Sequence, residues 1–134
     1  MTTNSEIFHY KNQSFRRNEE LDYLELIIDG NTFHDDISFI LSITIMSEYC
    51  EKINPKYVIV NRLKSDFIIT STLRQFVRED IFGILKSSGV KNYILLVKES
   101  VYEVTVNNTN QYRSYIRCFT SIEDMEDWMI HHKV

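Results

Sequence analysis

Thr70, Ser71 and Thr72 place three hydroxyls at the start of a predicted helix, just after the loop that leaves an apolar strand. Free N–H groups and the positive end of the helix dipole favour an anion or a phosphorylated hydroxyl at such a point. Ordinary N-capping uses the same residue types, so both readings stand. His34, Asp35 and Asp36 offer three metal-capable side chains in one helical turn, where carboxylates equally suit the dipole. His131 and His132 are neighbours on a terminal helix, and their directions differ by about 100°, which makes a poor ligand pair. Asp80 falls within the apolar arc of Leu73, Phe76, Val77 and Ile84, where an unpaired charge is costly. It must reach solvent, find a partner, or serve as a functional carboxylate. Cys50 and Cys118 have no C-x-x-C spacing and are too few for a stapled scaffold, so they read as reduced structural thiols.

Motifs with strict physical requirements are missing. There is no G-x-x-x-x-G-K-[ST] or G-x-G-x-x-G, and three isolated glycines cannot wrap backbone amides around a pyrophosphate. No G-x-S-x-G elbow or H-E-x-x-H pair supplies a hydrolase nucleophile or a zinc site. The expectation is a protein that is not an enzyme, with no catalytic, cofactor-binding or metal-ligating residues and no cofactor.

The elements that would carry these residues follow from periodicity and punctuation. Ile7 to Arg17 scatters its apolar residues like edge-strand material, and Asn18-Glu19-Glu20 reads as a turn. Tyr23 to Ile28 is a more buried strand ending at Asp29-Gly30, and the two stretches are expected to pair as a hairpin. A helix from about Phe33 to Lys52 opens on the Thr32/Asp35 capping pattern and stops at Asn54-Pro55. Tyr57 to Val60 is a central strand, Ser71 to Ser87 a second helix stopped by Gly89, and Tyr93 to Val97 another buried strand. Ser100 and Glu103 form a capping box for a short helix that Val101, Val104, Thr105 and Val106 weaken, followed by a polar loop from Asn107 to Gln111. Ser114 to Phe119 is the last strand, and Ser121 caps a final helix with Ile122, Met125, Trp128 and Met129 on one face. Strand and helix alternation implies right-handed crossovers and a mostly parallel sheet.

The first helix has two apolar stripes. Ile37, Ile40 and Leu41 form one; Phe39, Ile43, Met46, Cys50 and Ile53 form a second, nearly opposite. The second stripe is expected to need a cover: the N-terminal arm, a homodimer or partner protein, or a small apolar ligand.

With 134 residues, 43% hydrophobic and 25% charged, the chain is expected to form a single domain, residues 1–17 being an edge strand or arm. Fifteen Lys and Arg against nineteen Asp and Glu give a net charge of −4, which disfavours nucleic acid as a partner. Neither a signal peptide nor a spanning helix is legible, so a cytoplasmic location without a membrane span is expected.

Several of these residues occur in an order that resembles the STAS superfamily, the sulfate transporter and anti-sigma-factor antagonist domains, in its SpoIIAA-like branch. The similarity runs from about Tyr23 to Met129. It rests on Gly30 closing a strand, Asn61-Arg62-Leu63 after the central strand, Gly89-Val90-Lys91, Lys98-Glu99-Ser100 after the strand ending at Val97, and Phe119 preceding Trp128-Met129. Asn61 stands for the branch's usual Asp, Phe76 for a common Trp, and Met125 for a small Ala. Ile69-Thr70-Ser71-Thr72 keeps only the hydroxyl character of the Asp-Ser-Ser-Gly phospho-switch. The resemblance implies an α/β fold, a mostly parallel or mixed five- to six-stranded sheet with an N-terminal β-hairpin and about four helices. It also implies a non-catalytic module for a partner protein or, in some relatives, an apolar small molecule.

Overall fold

The computed structural model describes residues 5–10, 13–30, 36–65 and 68–132. Three strands open the chain, β1 (Ser5–Tyr10), β2 (Gln13–Asn18) and β3 (Tyr23–Gly30), each antiparallel to the next. The stretch expected to be one edge strand is therefore two, and β2, with Ser14 and Phe15 buried, is interior to the sheet. The turn into β3 is made by polar side chains. Asn18 Oδ1 accepts from the Leu21 N–H at 2.9 Å, and Arg17 donates to Asp22 at 2.6 Å and to the Tyr23 carbonyl at 3.1 Å. Asp22 can then hold its left-handed φ of 60°.

Helix α1 (Asp36–Ile53) leads into β4 (Tyr57–Ser65), which lies parallel to β3. Its end is where Asn54-Pro55 put it: Asn54 takes φ 49° and its amide donates to the Ser88 carbonyl at 3.1 Å. Next come α2 (Ser71–Phe76), a π-helical turn (Val77–Ile81) and α3 (Phe82–Ser87), which together occupy the span expected for one regular helix. The Phe82 N–H reaches the Val77 carbonyl five residues back, and this wider turn shifts the helical phase. Val77, Ile81, Phe82 and Leu85 enter the core while Asp80 is turned out to solvent. Its apparent place in the apolar arc held only for an unbroken 3.6-residue period. Gly89, at φ 93°, closes α3 through bonds from Gly89 N–H to Lys86 and from Val90 N–H to Leu85.

Strand β5 (Asn92–Leu96), helix α4 (Glu99–Thr109), a short 3-10 turn (Asn110–Tyr112), strand β6 (Ile116–Phe119) and helix α5 (Ile122–His131) complete the chain. Helix α4 departs from expectation. Lys98 rather than Ser100 is its N-cap and makes no side-chain capping bond, and the helix runs through much of the predicted polar loop. Thr105 and Thr109 continue it by donating to the Val101 and Thr105 carbonyls, which satisfies their hydroxyls within the helix. Ser121 caps α5 as expected, accepting from the Asp124 N–H at 3.1 Å.

The sheet is mixed, with all six strands in sequence order. Strands β3 to β6 are parallel and step in one direction, so right-handed crossovers place α1, α2–α3 and α4 on one face. That face carries the larger core, from Phe15, Leu24, Leu26, Val58 and Val60 to the inner sides of α1 and α3. Helix α5 covers the other face, where Met125 and Met129 pack on Tyr23, Tyr57, Ile59 and Ile94. No helix among the described residues is long and apolar enough to cross a membrane.

The reading of α1 is corrected here. Phe39, Ile43, Met46 and Cys50 are its core-facing stripe, fully buried against the sheet, with Ile53 half-buried beside them. These residues need no partner to cover them. The other stripe is the outward one, with Ile37 69% and Leu41 58% exposed and Ile40 packed at the core's edge. Ser42 and Ser47 are buried on the same helix beside the larger stripe.

Candidate functional site

Alternate residues of a strand point to one face, so Val60 and Arg62 of β4 and Leu95 with Val97 at the end of β5 converge on the helix-covered side. Across from them, Arg74, Val77, Arg78 and Phe82 present one side of α2, the π-turn and α3. Facing these is α4, whose Val101, Val104, Thr105, Asn108 and Thr109 recur at helical spacing and form its inner stripe. Between the three lies a cavity of about 350 Å³, within the size range of small-molecule sites.

The cavity runs along the inner side of α4. A crossover helix ordinarily buries its apolar stripe, yet no residue of α4 is buried, and Val101 and Val104 are exposed. Phe82 meets Tyr93 and Tyr115 edge-on at 5.1 Å and Tyr112 at 6.4 Å, and Phe82, Tyr93 and Tyr112 of this cluster line one end of the cavity. At the carboxyl ends of β4 and β5 the lining is mixed, with Arg62, Ser65, Arg74, Lys98 and Ser100 beside Ile68 and Ile69.

The cations are held in defined positions. Arg74 donates through Nη1 to the Ile69 carbonyl at 2.8 Å, and the Arg78 guanidinium lies 5.5 Å above the Tyr112 ring. Burial lowers the pKa of Arg62 from its ordinary value, partly offset by Tyr93, whose own phenol burial pushes up. No Asp or Glu is among the described residues that line the cavity.

A second polar cluster lies under α5 on the opposite face. Glu25, only 3% exposed, accepts from Asn61 Nδ2 at 2.9 Å, and the Tyr23 hydroxyl donates to Glu126 at 3.0 Å. Burial raises the Glu25 pKa; the Asn61 bond and Arg16 oppose this, and Glu126 adds to it.

Of the residues singled out in the sequence, the structure brings few together. Thr70 caps α2, its Oγ1 accepting from the Leu73 N–H at 3.3 Å, while Ser71 and Thr72 are exposed and do not line the cavity. Of the α1 set, Phe39 alone reaches the cavity. His34 and Asp35 lie outside the described residues, and Asp36 begins α1. His131 and His132 each donate through Nδ1 to a carbonyl one turn back, Asp127 and Trp128, and share no site. Burial pushes the Cys50 thiol up to about 12 and raises that of Cys118, which the Thr109 hydroxyl partly offsets.

Sequence reasoning missed Arg74, Arg78 and the α4 stripe. The stripe's spacing at positions 101, 104, 105, 108 and 109 was the available signal, obscured by its polar members. Comparison of the chain with protein-family models, with curated proteins and with solved structures gives no match.

Proposed function

We propose that this chain is a non-catalytic binding module, STAS-like and cytoplasmic as its sequence implies, that holds a small ligand with an apolar body between α2–α3 and α4. The observation that carries the reading is the inner stripe of α4, which faces the cavity instead of a packed core. Covering such apolar surface gains about 25 cal/mol per Å², so an occupant supplies the burial that the fold leaves undone. Aromatic residues at one end and polar ones at the other further suit a ligand with distinct ends.

Amide NMR titration with short amphiphiles tests this. Shifts are expected at Val101, Val104, Thr105, Val77 and Phe82, and a Thr105→Trp substitution that fills the space is expected to remove them. Absence of binding, or shifts spread over the outer surface, overturns the proposal.

A partner protein or second copy remains a separate reading, supported by Ile37 and Leu41, one turn apart on the outer side of α1. Sedimentation equilibrium of the wild type against Ile37→Glu/Leu41→Glu tests it. Identical monomer behaviour and no loss of association count against it.

A further inference from the structure

Most of the polar groups around the cavity are already engaged. Arg74 donates to the Ile69 carbonyl and Arg78 lies over Tyr112, while Arg62, Ser65 and Lys98 have interactions of their own within the fold. The hydroxyls of Thr105 and Thr109 donate back along α4 at 2.7 and 2.9 Å. Tyr93 is different. It lines the cavity with only 5% of its surface exposed, and its hydroxyl makes no hydrogen bond among the described residues. Its neighbour Tyr115, by contrast, donates to the Val90 carbonyl at 3.2 Å. Resting on the cavity reading above, we infer that the ligand is an uncharged molecule with an aromatic body and one carbonyl-type oxygen, which accepts a hydrogen bond from the Tyr93 hydroxyl.

A buried hydroxyl without a partner forfeits the hydrogen bond it makes to water in the unfolded chain, so an acceptor on the ligand recovers what the fold leaves unmade. Two effects make Tyr93 the donor. Burial raises the pKa of the phenol, so it stays protonated. The Arg62 guanidinium is near enough to act on it electrostatically, and a cation draws the hydroxyl oxygen toward itself and turns the proton away. The ligand's lack of charge follows from the same groups. A cationic ligand meets no Asp or Glu among the described lining residues. An anionic one would have to draw Arg74 and Arg78 out of contacts they already make, and would leave its own charge poorly solvated otherwise.

The rest of the lining sets the body. Phe39, Phe82, Tyr93 and Tyr112 bring four rings to the cavity, and Val77, Val101 and Val104 supply aliphatic surface between them. Flat apolar rings pack edge-on or offset against such side chains with a gain beyond the area they bury. Tyr93 pairs with Val58 on β4, and Arg62 lies further along the same strand toward its carboxyl end. The ring of Tyr93 therefore belongs to the aromatic end while its hydroxyl lies within the field of a residue at the mixed end, which places the ligand's oxygen between the two. With about 350 Å³ available and roughly 30 Å³ for each water-sized group, the occupant has about a dozen non-hydrogen atoms. Methyl naphthyl ketone matches that size and carries the single acceptor.

The test is titration of the whole chain, wild type and Tyr93→Phe, with methyl naphthyl ketone, ethylnaphthalene and naphthoate, followed by NMR. Without ligand, Tyr93→Phe is expected to keep or raise the Tm, because the hydroxyl has no bond to lose; a clear fall would show it bonded within the fold and overturn the inference. Tyr93→Phe is expected to weaken the ketone about fivefold to tenfold and to cut its affinity relative to ethylnaphthalene by the same factor. The carbonyl carbon resonance of the bound ketone is expected to move downfield in the wild type, the signature of an accepted hydrogen bond, and to lose that shift in the variant. Naphthoate is expected to bind at least tenfold more weakly than the ketone. If the ketone binds with no downfield shift, if Tyr93→Phe leaves its affinity unchanged, or if naphthoate binds as tightly, this inference falls while the cavity reading stands. If none of the three compounds binds, both fall.

Discussion

Replacing Ile43 by Ala, with Leu41→Ala as its control, asks directly which side of α1 faces the sheet. Ile43 has no exposed surface, whereas Leu41 is 58% exposed two residues earlier on the same helix. Truncating Ile43 removes three carbons, about 2.4 kcal/mol of transfer free energy at ~0.8 per methylene-sized group. The space left beside Met46 and Leu26 collapses only in part, which brings the expected cost to about 3–4 kcal/mol. Leu41 has less than half of its surface to lose, about 1 kcal/mol at most, and Ala's better helix propensity offsets some of it. With ~2.1 cal/mol/K of unfolding entropy per residue over 134 residues, 3.5 kcal/mol corresponds to a Tm drop of about 12 °C. Urea melts followed by far-UV circular dichroism give both values, and the slopes should match the wild type if only stability has changed. Equal costs at the two positions, or a larger cost at Leu41, would refute the argument, because α1 would then be rotated about its axis.

Glu25 should make stability depend on pH with an unusual sign. Its pKa is raised in the folded state, so the folded chain binds more protons, and its contribution is fully present below the ordinary carboxylate value of 4.5 and fades as pH rises. Relative to Glu25→Gln, the wild type should lose stability as the pH rises above about 4.5; a wild type that instead gains on the variant as the pH rises contradicts the desolvation argument. Thr70→Ala should cost about 1 kcal/mol through the lost cap and Thr70→Asp much less, as read by thermal melts. Both thiols should resist an aromatic disulfide reagent at mildly alkaline pH in the native chain, Cys118 reacting before the fully buried Cys50, and both should react at once in denaturant.

Much of the layer order is legible because each boundary is set by local chemistry. Asn54-Pro55, Gly89 and Ser121 end or begin helices through backbone geometry and hydrogen bonds reaching only a few residues along the chain. The buried strands around Tyr57 and Tyr93 announce themselves as continuous apolar runs. Less local matters are not legible. One inserted residue in the π-turn at Val77–Ile81 changes which side chains face the core, and Asp80 moves from apparent anomaly to solvent. On α1 both stripes are apolar, so composition cannot choose between them; contact with Leu24, Leu26 and Val60 does.

What the amino-acid order settles by itself, then, is where most of the helices and buried strands lie, that they alternate into an α/β fold, and that common nucleotide and hydrolase motifs are missing. Each rests on interactions between near neighbours in the chain. The site is different in kind. Arg62, Arg74, Arg78 and Lys98 are far apart in the chain and come to line one cavity only when the crossovers stack their elements on one face. The cavity among them is bounded by β4, β5, α2–α3 and α4 together, with Phe82, Tyr93 and Tyr112 meeting at one end of it. Packing of this sort is a property of volumes brought together by the fold, and tertiary structure alone decides it.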